Sequence, residues 1–210
     1  MVLVLAAPAP APSFLYRALR LAQGSSEESS LYNLREAQDQ ILAGADMGLF
    51  DSNIAEIVGQ QADAVLGPAI QRLCDEAAGE PILIEDPRTV RLLPVWDAIL
   101  ASRQIEARFV VSLRVPAVAS AGIAEMLQLP RIRAEAIWSS FMIRIGRFLA
   151  KRDSLLLHEE QLYADWRNRL SPLARELRIS WPPSPDLAVS IQQLADADVR
   201  VAESGGKVAG

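Results

Sequence analysis

The sequence predicts a three-layer α/β/α fold built on a parallel sheet of about four to five strands. Four short apolar runs, at 2–5, 81–84, 109–113 and 155–157, lack the alternation of a half-wet strand and read as buried on both faces. Between them lie segments with apolar residues at helical spacing, as crossover helices require. Half of the 210 residues are hydrophobic, enough for a sizeable core.

Taken in order, Val2 to Leu5 is the first strand and Ala6 to Pro12 a loop. Ser13 can cap a helix from Phe14 to about Gln23, which the polar stretch 24–30 ends. Leu31 to Gly44 reads as a helix, and 53–78 as a longer one that Pro68 should kink or split. After the strand at 81–84, Pro87 sits at a first-turn position of a helix to about Ser102. The strand 109–113 leads to helices at 116–127 and 130–151. The strand 155–157 leads to a helix at 161–178, then a last helix at about 185–194 and a polar tail. The expected organisation is one domain over 1–181, with a helical insert-like segment at 23–80, and residues 182–210 packed on the same domain.

Composition excludes several function classes. The formal net charge is −5, so the basic footprint of a nucleic-acid binder is absent. Lysine occurs only at Lys151 and Lys207, so a phosphate-cradling lysine could come from nowhere else. The single Cys74 cannot form an intrachain disulfide and reads as a small core residue. No basic residue precedes the apolar run at 2–7, which is shorter than the apolar core of a signal peptide, and no stretch suits a membrane span. The expectation is therefore a cytoplasmic protein.

Parallel sheets bind ligands at the carboxyl ends of their strands. That edge should carry 6–12, 85–88, 114–116 and 158–159. Here the residues form an ordered set of motifs. Phe109-Val-Val-Ser-Leu-Arg-Val-Pro116 is similar to the strand–Arg–x–Pro signature of sulfotransferases. The run from Glu85-Asp86-Pro87-Arg88 to Leu92-Leu93-Pro94-Val95-Trp96 resembles the KDPR…LLPxW segment of bacterial glycan-type sulfotransferases, and Leu155-Leu-Leu-His-Glu-Glu-Gln-Leu162 their VVxYEDL step. The order and spacing agree over about 110 residues, and the resemblance implies a P-loop-like fold.

It also implies a reaction: transfer of a sulfuryl group from the nucleotide donor PAPS to a hydroxyl or amine. The family's first loop, close to G-x-x-R-S-G-T-S, wraps the phosphosulfate with backbone N–H groups, a cation and a helix N-terminus. The matching stretch here is Ala6-Ala-Pro-Ala-Pro-Ala-Pro-Ser13. It has no glycine for the tight turn, three prolines without an N–H, and no basic residue before Arg17. A hydrogen bond to a charged group is worth about 1.5–3 kcal/mol. Losing a cation and two or three donors therefore removes roughly 5 kcal/mol, more than about a thousandfold in affinity. The chain thus resembles a degenerate member that lacks the phosphosulfate motif.

The residues left to a surviving donor site are Ser13, Arg17, Arg88, Arg114 and Ser120. In the family, the arginine matching Arg114 and a serine eight residues later hold the 3′-phosphate. Gly122 stands eight residues on, and Ser120, the nearest hydroxyl, would point elsewhere on the helix. Glu85 stands where the family usually has lysine. Arg88 reads either as an anion ligand or as a structural partner of Asp86 or Glu85. Glu159 reads as a cap of the following helix, and His158 as a strand-end residue. No general base is singled out.

Three functional expectations follow. The first is a binding or interaction module without PAPS-dependent activity, linked to glycan modification through a protein partner or a glycan-type acceptor. The second is an active sulfotransferase that uses PAPS (or binds its product PAP) through an atypical loop. The third is different chemistry at another pocket. The apolar residues of helix 131–151 could either cover the sheet or pair two copies as a homodimer.

Overall fold

The computed structural model describes residues 1–207 apart from 10, 25–27, 51–60, 78 and 183. Four strands, β1 (Val2–Leu5), β2 (Leu83–Ile84), β3 (Arg108–Leu113) and β4 (Ser154–His158), form one sheet in the order β2-β1-β3-β4. Every pairing is parallel, with Leu3 opposite Ile84, Val4 opposite Val110, and Val111 opposite Leu156. The expected class and strand positions stand.

In chain order the helices are α1 (Phe14–Gln23), α2 (Glu28–Gly44), α3 (Gln61–Ala77), α4 (Pro87–Arg91) and α5 (Leu93–Ser102). They continue as α6 (Pro116–Leu127), α7 (Arg131–Leu149), α8 (Glu159–Ala164), α9 (Trp166–Glu176) and α10 (Pro185–Lys207). The sheet's pleat sends alternate residues to two cores. Leu3, Leu5, Ile84 and Val111 pack with Leu66, Ile70, Trp96 and Phe141 from α3, α5 and α7. Val2, Val4, Leu83 and Val110 pack with Phe14, Leu19, Leu162, Trp166 and Ile191 from α1, α8, α9 and α10. Helices therefore cover both faces.

Several boundaries differ from expectation. The helix expected over 87–102 is two, because Pro94 has no N–H to continue the ladder and Leu92 serves as the C-cap of α4 and the N-cap of α5. The helix expected at 161–178 is likewise two, α8 and α9, interrupted at Asp165. Pro68 does not split α3, whose Leu66, Ile70 and Leu73 remain buried; the expected portion at 53–60, with residue 78, lies outside the described residues. The last helix runs on to Lys207 through the expected polar tail, held by buried Ala195 and by Asp198, which pairs with Arg17. Expected burial on both faces fails for β4, which lies at the sheet margin and leaves Leu156 58% exposed.

On α7, Ile137, Phe141 and Ile145 enter the core, while Ile132 stays exposed. Cys74 is only partly buried. No helix among the described residues is long and apolar enough to cross a membrane.

Candidate functional site

The carboxyl edge of the sheet brings together the loop after β1, the end of β2, the end of β3 and the start of α8. They enclose a cleft lined by Ala6–Ala9, Ser13, Glu85, Ser112, Arg114, Trp138, Met142 and Glu159, among others. Its volume is about 20 Å³. One water-sized sphere needs roughly 10–15 Å³, so the cleft is nearly filled by the protein itself.

Ser13 is the first donor in the cleft. It caps α1, its Oγ accepting from the Tyr16 amide at 3.1 Å. Its own backbone N–H donates to Glu85 Oε1 at 2.6 Å, and its hydroxyl donates to Glu85 Oε2. Donors at a helix N-terminus favour an anion, and here an internal carboxylate takes that place. Burial pushes the Glu85 carboxyl up to about 7, against the pull of the Ser13 hydrogen bonds; Glu159 raises it further and Arg114 lowers it.

Arg114 follows β3 and reaches into the cleft, where its Nε donates to Glu159 Oε2 at 2.6 Å. The other Glu159 oxygen accepts from Ser112 Oγ at 2.5 Å. Glu159 is 1% exposed, so these bonds satisfy a charge that water does not reach. It does not serve as the helix cap expected of it, because the hydroxyl and the guanidinium from β3 claim both its oxygens. Its neighbour Glu160 instead accepts from the Val115 amide at 2.8 Å. The acids give the region a negative field. Burial, followed by Glu160, Asp198 and Glu159, pushes the Tyr163 phenol up to about 12.

The other expected ligands of a donor lie elsewhere. Arg17 pairs with Asp198 at 2.5 Å. Arg88 bonds Asp39 at 2.6 Å and Asp86 at 3.3 Å, the structural reading of that residue. Ser120 is buried and donates to the Ala117 carbonyl at 3.3 Å. Of the five expected residues, only Ser13 and Arg114 line the cleft.

Sequence reasoning overlooked Ser112; Trp138, which packs against the core, lines the cleft as well. A lone hydroxyl in the apolar run 109–113 was the available signal for Ser112. Trp138 and Met142 lie one helical turn apart on α7 and together face the cleft.

The chain is similar in fold to a solved structure described as the sulfotransferase domain from the curacin biosynthetic pathway, with a TM-score of 0.53. The fold is sulfotransferase-like. The likeness covers 89% of this chain and 76% of that one at 15% sequence identity, so it is a likeness of fold. No family model matches the sequence, and no curated protein matches it.

Proposed function

We propose that this chain is a sulfotransferase-fold protein whose donor site is closed by its own side chains, and that it serves as a binding or interaction module. The observation that carries this reading is the occupation of the α1 N-terminus by Glu85. A phosphosulfate seeks backbone and hydroxyl donors at that helix start, and the Ser13 pair is already bound to a carboxylate. Arg114, the other retained element, is bound to a buried acid. A nucleotide would need a site of roughly 300 Å³ or more, against a cleft of about 20 Å³. Partner classes that fit the reading are a protein or a glycan-type acceptor, and a single domain over 1–181 belongs to the same proposal.

Calorimetric titration with PAP, at low and physiological salt, tests it. No saturable binding up to millimolar ligand is the expected result. Micromolar binding that is lost in Arg114→Gln would overturn it and favour an active transferase with an atypical loop.

A further inference from the structure

Away from the sheet edge, α1 turns its outer stripe toward α2 and α10. At 100° per residue, Phe14, Leu15, Ala18, Leu19 and Ala22 share the buried side of α1, whereas Tyr16, Arg17, Arg20 and Leu21 lie on the other. That second stripe, with Leu31, Tyr32 and Arg35 of α2 and Leu194 of α10, lines a groove of about 890 Å³. Pockets for small organic ligands run to roughly 300–1,000 Å³.

The lining has a distinct chemistry. It includes three arginines, two tyrosines and three leucines, and no acidic side chain among the described residues. All three arginines already have a partner within the protein, so an anion would meet the N–H groups those contacts leave over. Arg17 pairs with Asp198, which is 13% exposed, and Arg35 with Asp86 at 3.1 Å, which is 5% exposed. Anchored guanidiniums lose less freedom on meeting an anion than mobile ones. The Tyr32 hydroxyl bonds Glu36, so its ring is what it offers the groove; that residue is 59% exposed, and Leu21 is 43% exposed. The three guanidiniums stand beside the exposed ring of Tyr32, with Asp198 and Asp86 compensating part of their charge.

We propose that this groove binds an organic anion with a flat apolar body, the anionic group against Arg17, Arg20 and Arg35 and the body against Tyr32 and Leu21. An arginine plane can take two oxygens of a carboxylate, sulfate or phosphate at once, and a ring or alkyl face covers the exposed apolar surface. Arg17, expected at the donor loop, serves this groove instead. The site is independent of the closed cleft, because neither Glu85 nor Arg114 lines it.

Titration with three probes tests the assignment: 1-naphthyl phosphate, 1-naphthol and inorganic phosphate. Saturable binding of naphthyl phosphate, at least about tenfold tighter than either half alone, is expected. Arg20→Gln and Tyr32→Ala should each weaken it about tenfold or more while far-UV circular dichroism stays native, and Arg131→Gln, exposed on α7 and outside the groove, should leave it unchanged. Equal binding of naphthol and naphthyl phosphate would overturn the proposal, as would no saturation at millimolar probe. Retained affinity in both folded groove variants would also overturn it. None of these results depends on whether PAP binds.

Discussion

The Ser13 amide and hydroxyl both donate to the Glu85 carboxylate, clamping the start of α1 to the end of β2. Two oxygens meet two donors, so the contact ties the β1–α1 crossover to the edge strand. A buried donor left without its acceptor costs about 1–3 kcal/mol. Glu85→Ala should therefore lower unfolding stability by roughly 2 kcal/mol at pH 6, measured by urea denaturation. An unchanged urea midpoint would mean that solvent replaces the carboxylate at no cost.

The same contact should make stability pH-dependent. Glu85 is raised from an ordinary carboxyl value to about 7 in the folded protein. The folded state thus holds a proton between about pH 4.5 and 7 that the unfolded chain releases. This contribution to stability is full below the unfolded value and is lost as pH rises through 7. Glu85→Gln keeps an acceptor for Ser13 but does not titrate. Between pH 5 and 8 the wild type should lose roughly 1–3 kcal/mol relative to Glu85→Gln, the range allowing for solvent at a half-buried carboxylate. Parallel pH profiles for the two proteins would contradict the raised value.

Glu159 faces a different cost. It is fully buried and holds Arg114 on one oxygen and Ser112 on the other. Removing one partner of a buried pair typically costs about 3–5 kcal/mol. Arg114 is 21% exposed, which places Arg114→Ala near the lower end, about 3 kcal/mol. Ser112→Ala removes a single hydroxyl and should cost about 1–2 kcal/mol. Equilibrium denaturation at pH 7 ranks the two variants, and the reverse order would show that Ser112 dominates the network.

Gln38 provides a test outside the cleft. It is fully buried on α2, and its Oε1 accepts from Thr89 Oγ1 at 3.0 Å and Trp96 Nε1 at 3.1 Å. One side chain thereby joins α2, α4 and α5. Gln38→Leu keeps the volume but strands two buried donors, so a loss of about 2–4 kcal/mol is expected. Thermal unfolding should show a drop of several degrees in Tm. An unchanged Tm would indicate that water or a neighbouring group takes over the two donors.

The strand positions were legible because buried parallel strands need apolar residues on both faces, which β1 and β3 satisfy in sequence. The β4 run carries the same signal, yet Leu156 is exposed, because strand order and not composition puts β4 at the margin. Pro94 was visible as a breaker only in principle; its effect appeared where Leu92 became a cap shared by two helices. The polar tail at 195–207 carried no strong apolar stripe, and long-range contacts such as Asp198 with Arg17 made it helical.

The candidate site divides in the same way. The Pro/Ala loop and the glutamate at position 85 could be read as departures from a sulfotransferase pattern, because the absence of glycine, cation and N–H groups is a local property of the chain. By itself the sequence determined the α/β class, the strand positions and the depletion of loop donors. Tertiary structure decided what the remaining groups do. Glu85 meets Ser13 across 72 positions, Glu159 meets Arg114 across 45, and Arg17 turns to Asp198 across 181. Residue type sets which bonds a side chain can form, but its partner is whichever group the packed sheet and helices bring within about 3 Å.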